Sequence, residues 1–189
     1  MGDTSIKIPA ELFATAESSH FEGTIDVPEL QAGPDTYRFD GLLPWSADVT
    51  NTGSAFLVTG TVSATGTVAC SRCLEPVHCD LSGDIEGYFL LDSEEAEAFE
   101  DDEDVPGEDE FAVLPADHII DLEPLILAAL LVEAPQLPLC DEDCKGLCPQ
   151  CGANLNEGEC DCGEDGGAAT FAAAANPFSV LADFDFSDN

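Results

Sequence analysis

Eight of the nine cysteines in this chain fall into four close pairs, and their spacing limits the possible folds more than any other feature. Cys70-Ser-Arg-Cys73 is the first pair, Cys140 and Cys144 the second, Cys148-Pro-Gln-Cys151 the third, and Cys160-Asp-Cys162 the fourth. Divalent zinc prefers soft sulfur donors, and four thiolates close a tetrahedral structural site with no position left for a substrate. The pairs therefore predict one closed site at Cys148, Cys151, Cys160 and Cys162, with Gly152 free to take positive φ behind the second ligand. A second site would join Cys70 and Cys73 to Cys140 and Cys144, which requires the chain to bring residues far apart in sequence together. The competing reading leaves those four as free thiols. One zinc is expected, and two if the second site forms. Cys79 stands outside the pairs, on the apolar side of a strand pattern, and reads as a small core residue.

The compartment decides between metal and disulfides. No basic flank followed by an apolar run marks the N-terminus as a secretory signal, and the longest apolar stretch, 125–132, is too short to span a bilayer. Reduced thiols in a cytoplasmic protein favour metal binding, and an odd cysteine count leaves an all-disulfide scheme one thiol short. Forty acidic residues against four basic ones give a net charge of −36. Affinity for nucleic acid rests on Lys and Arg displacing counterions, so direct phosphate contact is disfavoured, with Arg38, Arg72 and Lys145 the sparse cationic candidates. A basic protein partner or a high-salt interior suits this surface, as does simple solubility.

Residues 1–20 show no strong periodicity and read as a short leader. Short β-type runs follow at 23–27 and 36–40. The clearest signal is the alternation of Phe56, Val58, Gly60, Val62, Ala64, Gly66 and Val68 with Thr and Ser. The same period continues in Val77, Cys79, Leu81, Ile85, Phe89 and Leu91 against His78, Asp80, Ser82, Asp84 and Glu86. Side chains of a strand alternate faces, so these segments predict an antiparallel hairpin carrying the Cys70–Cys73 knuckle at its tip. Twelve acidic residues in the nineteen positions 92–110 predict a disordered loop, extending to about 115. Residues 121–134 form the best helix, with Asp121 to cap it and Pro124 in its first turn. It is apolar nearly all round and so expected to be largely buried. A Gly/Ala-rich linker at 163–175 and a short helix with a tail at 176–189 close the chain. The predicted organisation is a β-rich core domain over 1–139, a zinc-binding module over 140–162, the linker and the terminal helix. The fold class is α+β: a twisted antiparallel sheet, with barrel-like closure left open, backed by one helix and followed by the cysteine-rich zinc module.

No Ser/His/Asp order, phosphate-binding glycine loop or helical zinc-protease motif is present, and the three histidines are scattered. No catalytic residue is assigned and the chain reads as a non-enzyme. The order of β-rich half, Cys70-Ser-Arg-Cys73-Leu74, acidic loop, apolar helix, Cys140-x-x-x-Cys144-x-Gly-Leu-Cys148-Pro-x-Cys151-Gly-Ala-Asn-Leu-Asn156 and Asn176-Pro-Phe-Ser-Val-Leu181 resembles the YceD family. These are bacterial and plastid proteins linked to accumulation of large-subunit (23S) ribosomal RNA. The resemblance implies a non-enzymatic ribosome biogenesis factor acting in the cytoplasm on a large-subunit ribosomal protein or a precursor large-subunit particle. Members often lie beside the gene for a small basic large-subunit protein, which implies a basic partner, recognised by residues 140–162 and the terminal helix. Two other classes remain open: a zinc-ribbon module associated with RNA or transcription, and a thiol-redox protein exchanging Cys70 and Cys73.

Overall fold

The computed structural model describes residues 4–91 and 112–162. The expected linker and terminal helix, and most of the expected acidic loop, lie outside them. Two compact units share the chain. Of the described residues, the first takes those up to Ala69 and from Pro76 to Pro138; the second joins Cys70–Glu75 to 139–162.

The first unit is a sheet of β-strands with one α-helix, as the α+β class requires. Strands β6 (Ala55–Ala69) and β7 (Pro76–Leu90) are its spine, paired antiparallel in register from Ala55↔Leu90 to Ala69↔Pro76. The alternation that announces them is the one that buries them. Phe56, Val58, Val62, Ala64 and Val68 of β6, and Leu81, Ile85 and Phe89 of β7, are core residues, while the Thr, Ser and acidic positions between them face solvent. On its other edge β6 pairs first with β5 (Leu42–Asn51) and further along with β4 (Asp35–Phe39). β5 continues to β2 (Ser18–Asp26), and β4 to β3 (Glu29–Ala32). The short β8 (Ala112–Val113) adds to β7 in parallel. No pairing among the described residues joins β2 or β3 to β8, so the sheet is open and does not form the closed barrel held open by the sequence.

Residues 4–20 are not a leader. β1 (Ser5–Lys7) pairs antiparallel with β9 (Ile119–Asp121), and a 3-10 turn follows at Ala10–Phe13. Ile6, Ile8 and Leu12 are buried in the same core as Ile120 and Leu122. The short run Ile6-Lys7-Ile8 alternates correctly, but it is too brief to stand out before the core it joins is known. Buried Asn51 is satisfied on both sides of its amide: its Nδ2 donates to the Leu12 carbonyl at 2.9 Å, and its Oδ1 accepts the Gly53 N–H at 2.7 Å.

The helix α1 (Glu123–Glu133) begins two residues later than expected. Asp121 instead ends β9 and stabilises the helix entry from there, its Oδ1 accepting the Glu123 N–H at 3.0 Å and the Thr4 hydroxyl at 2.9 Å. Ile126, Ala129 and Leu130 are buried, whereas Val132 is 82% exposed and Leu131 42%. The expectation of a largely buried helix therefore holds for one side only: β7 receives that side, and the described residues cover the other incompletely. Close approach is possible because Gly83 and Gly87 of β7 carry no side chain where Ala129 and Leu125 pack.

Candidate metal centre

The second unit brings the eight paired cysteines into two groups. Cys70, Cys73, Cys140 and Cys144 form one, and Cys148, Cys151, Cys160 and Cys162 the other; within each group all four Sγ atoms lie within 4.8 Å of one another. This is the grouping expected from the spacing, including the less obvious union of residues near 70 with residues near 140. All nine cysteines are free thiols, and Cys79 lies in neither group. It sits on the inward side of β7, half-buried, and burial raises its pKa.

Local backbone explains each arrangement. In the first group, the knuckle is closed by hydrogen bonds from Cys70 N–H to the Glu75 carbonyl at 2.8 Å and from Leu74 N–H to the Cys70 carbonyl at 2.9 Å. Leu74 turns the chain with φ +64°, a conformation that leaves its side chain exposed. The amides of Arg72 and Cys140 donate to Cys70 Sγ at 3.4 and 3.5 Å. Arg72 then ties the two segments together, its guanidinium donating to the carbonyls of Cys144 at 2.9 Å and Glu142 at 3.2 Å. Gly146, at φ +75°, passes so close that a Cβ would stand 3.1 Å from the Arg72 carbonyl. In the second group, Gly152 takes φ +73° as its place after Cys151 predicts, and its N–H returns to the Cys148 carbonyl at 2.9 Å.

These donors polarise the sulfurs unequally. Burial raises the Cys70 thiol, but the amides of Cys73, Arg72 and Cys140 outweigh it and hold it down at about 6. Amides of Cys151 and Gln150 hold Cys148 at about 6 as well. Cys144 is lowered first of all by the Asn156 side chain. Their neighbours respond in the opposite sense: Cys140 is pushed up to about 12 by the sulfurs of Cys144 and Cys73, and Cys162 to about 12 by that of Cys151. Negative charge thus settles first on the sulfurs that accept hydrogen bonds, Cys70 and Cys144 in one group and Cys148 in the other, and the neighbouring Cys140 and Cys162 are held protonated. A divalent cation reverses this by favouring thiolate at all four positions at once.

The geometry fits such an ion. Zn–S bonds of about 2.3 Å in a tetrahedron place sulfurs about 3.8 Å apart. Cys70 and Cys144 are separated by 3.8 Å, and Cys73 and Cys140 by 3.5 Å. Both groups could hold a metal ion, and four thiolates with amide donors behind them suit zinc.

The sparse cations are largely committed to the fold. Arg38 pairs with Glu29 at 3.1 Å, both exposed on the sheet, and Arg72 is engaged by carbonyls within the second unit. Sequence reasoning missed Asn156 as part of the site. It belongs to the stretch between Cys151 and Cys160, yet its Nδ2 donates to Cys144 Sγ at 3.2 Å. Only its place in the run Gly152-Ala-Asn-Leu-Asn156 hinted at a special turn. Among the described residues no helix is long and apolar enough to cross a membrane.

Comparison with known proteins agrees with the motif. An uncharacterized protein of Mycobacterium tuberculosis is 38% identical over 115 residues, covering 60% of this chain and 52% of the relative. The chloroplastic large ribosomal RNA subunit accumulation protein YCED homolog 1 of Arabidopsis thaliana is 31% identical over 139 residues, covering 64% and 43%. Its Zea mays counterpart is 28% identical over 131 residues, covering 59% and 45%. The chain spans about half the length of these curated relatives. No solved structure matches it. The family model described as large ribosomal RNA subunit accumulation protein YceD matches residues 58–185. That span takes in β6 from Val58, β7, the helix and all eight clustered cysteines, and by it the chain belongs to the YceD family.

Proposed function

We propose that this chain is a non-enzymatic, cytoplasmic ribosome biogenesis factor that promotes accumulation of large-subunit ribosomal RNA, and that it carries one structural zinc ion in each four-cysteine group. The observation that carries the reading is the family match, which spans both groups. Four-thiolate sites are saturated by protein ligands, so their zinc would hold shape and not bind substrate. The shape so held is a strongly anionic body: with a net charge of −36 and four basic residues, its affinity for phosphate backbones is small. Contact with a basic large-subunit protein, alone or on a precursor particle, is how such a surface would reach the ribosome.

Buried thiols favour this reading over redox exchange. An exchanging pair needs an accessible thiolate, and Cys70 and Cys73 are 0% and 3% exposed. The test is depletion of the protein in its own cell, combined with affinity capture of the full chain at moderate salt. Depletion is expected to lower large-subunit rRNA relative to small-subunit rRNA, and capture to retrieve large-subunit proteins or precursor rRNA. An unchanged rRNA ratio with neither class retrieved would refute the proposal.

A further inference from the structure

Asn156 links the two cysteine groups. It follows Asn154 in a turn where Asn156 N–H reaches Asn154 Oδ1 at 3.1 Å and Glu157 N–H reaches the Asn154 carbonyl at 3.2 Å. That turn and the residue before it are clamped to 146–148, where the second group begins: Leu155 N–H donates to the Gly146 carbonyl at 2.9 Å, Cys148 N–H to the Ala153 carbonyl at 2.8 Å, and Leu147 bridges Asn154. The Asn156 side chain uses both ends of its amide. Its Oδ1 accepts the Lys145 N–H at 2.7 Å, and its Nδ2 donates to Cys144 Sγ at 3.2 Å. The two contacts fix which end is nitrogen, since an amide oxygen turned to a thiolate would be repelled and the Lys145 N–H left unmet.

We infer that Asn156 is a positioning residue through which the second cysteine group secures zinc in the first. The inference rests on the zinc reading above. The stretch bearing Asn156 is closed at both ends by ligands of the second group, Cys151 and Cys160, so metal there holds the turn in place. The turn in turn delivers a neutral N–H to a ligand of the first group. Donors behind a metal ligand orient it and spread its charge, and removing one typically costs about 10–100-fold in metal affinity. Zinc in the first group therefore depends on zinc in the second. The dependence is one of hydrogen bonding across 12 residues of sequence, without a shared ligand.

The test uses the full chain loaded with zinc and follows release to a chromophoric chelator, alongside zinc content. The phase belonging to the first group is the one absent in Cys140→Ser. Asn156→Asp keeps an oxygen for the Lys145 N–H but replaces the donor with a carboxylate, and is expected to speed that phase about tenfold or more while leaving the other phase unchanged. Cys160→Ser, which opens the second group, is expected to speed it by a similar factor although no ligand of the first group is altered. Wild-type release of first-group zinc in both variants overturns the inference while leaving zinc binding intact. Fewer than two zinc ions in the unaltered chain overturns the reading beneath it.

Discussion

Gly83 of β7 and Ala129 of α1 approach so closely that a Cβ at position 83 would lie 2.6 Å from the Ala129 carbonyl oxygen. Helix backbone rests on strand backbone at this point, and the obstacle to any larger residue is a carbonyl that cannot rotate away. Gly83→Ala is expected to destabilise the first unit by about 1–3 kcal/mol, the usual cost of overpacking. Thr61→Ala, on the solvent side of β6, loses only strand propensity and its Ser46 contact at 3.4 Å and should cost less, about 0.5–1 kcal/mol. Denaturant unfolding of both variants checks the contrast.

Arg72 closes the first cysteine group from behind by donating to the carbonyls of Cys144 and Glu142. Arg72→Ala is expected to cost the second unit about 1–3 kcal/mol and to raise the rate at which a thiol reagent labels Cys70, Cys73, Cys140 and Cys144. Arg72→Lys should recover only part of the loss, because both bonds come from one terminal nitrogen, Nη1, and a lysine ammonium stands one bond nearer the backbone and reaches the two carbonyls less well. Equal labelling in all three proteins would remove Arg72 from the account.

The only tryptophan, Trp45, is 5% exposed and belongs to the first unit's core. Its ring lies where a Cβ on Gly23 would stand 2.6 Å from it. That core contains none of the eight clustered cysteines. Chelation is therefore expected to expose thiols in the second unit while the Trp45 emission keeps its buried, blue-shifted maximum. A red shift on chelation would show that the first unit's core also needs the metal.

Acid should strip the metal, and the sign follows from the thiols. Cys70 and Cys148 are held at about 6, below the ordinary thiol value, so their ionised form contributes fully above that value and is lost as pH falls through about 6. Protons then compete with the ion for every remaining ligand. Because a bound cation itself keeps its thiolates ionised, zinc is expected to stay bound at about pH 7 to 8 and to leave only in acid below the metal-free value of about 6, read by chelator absorbance. Zinc retained unchanged even in strong acid, where every thiolate is protonated, would contradict thiolate ligation.

Sequence alone made the β6–β7 hairpin legible because its period-2 pattern is long and its two faces differ in polarity. The grouping of cysteines was legible because pair spacing is itself a chemical requirement. β5 was hidden by Pro44, which breaks a strand pattern on paper. In the fold Pro44 is opposite Thr24 of β2, and pairing with β6 begins only at Trp45↔Val62, so no ladder bond toward β6 is lost at the proline. Residues 4–13 were hidden by brevity: Ile6, Ile8 and Leu12 become meaningful only when Ile120 and Leu122 arrive from more than a hundred residues away. Asn156 escaped notice because an amide hydrogen bond to sulfur leaves no spacing rule.

Two four-sulfur groups holding zinc are the claim on which the rest depends, and metal content measured on the purified, natively folded protein tests it most directly. Close to two zinc ions per chain, falling to one in Cys140→Ser and to one in Cys160→Ser, is the predicted result. A protein that keeps its native thiol protection while carrying no bound metal would contradict it.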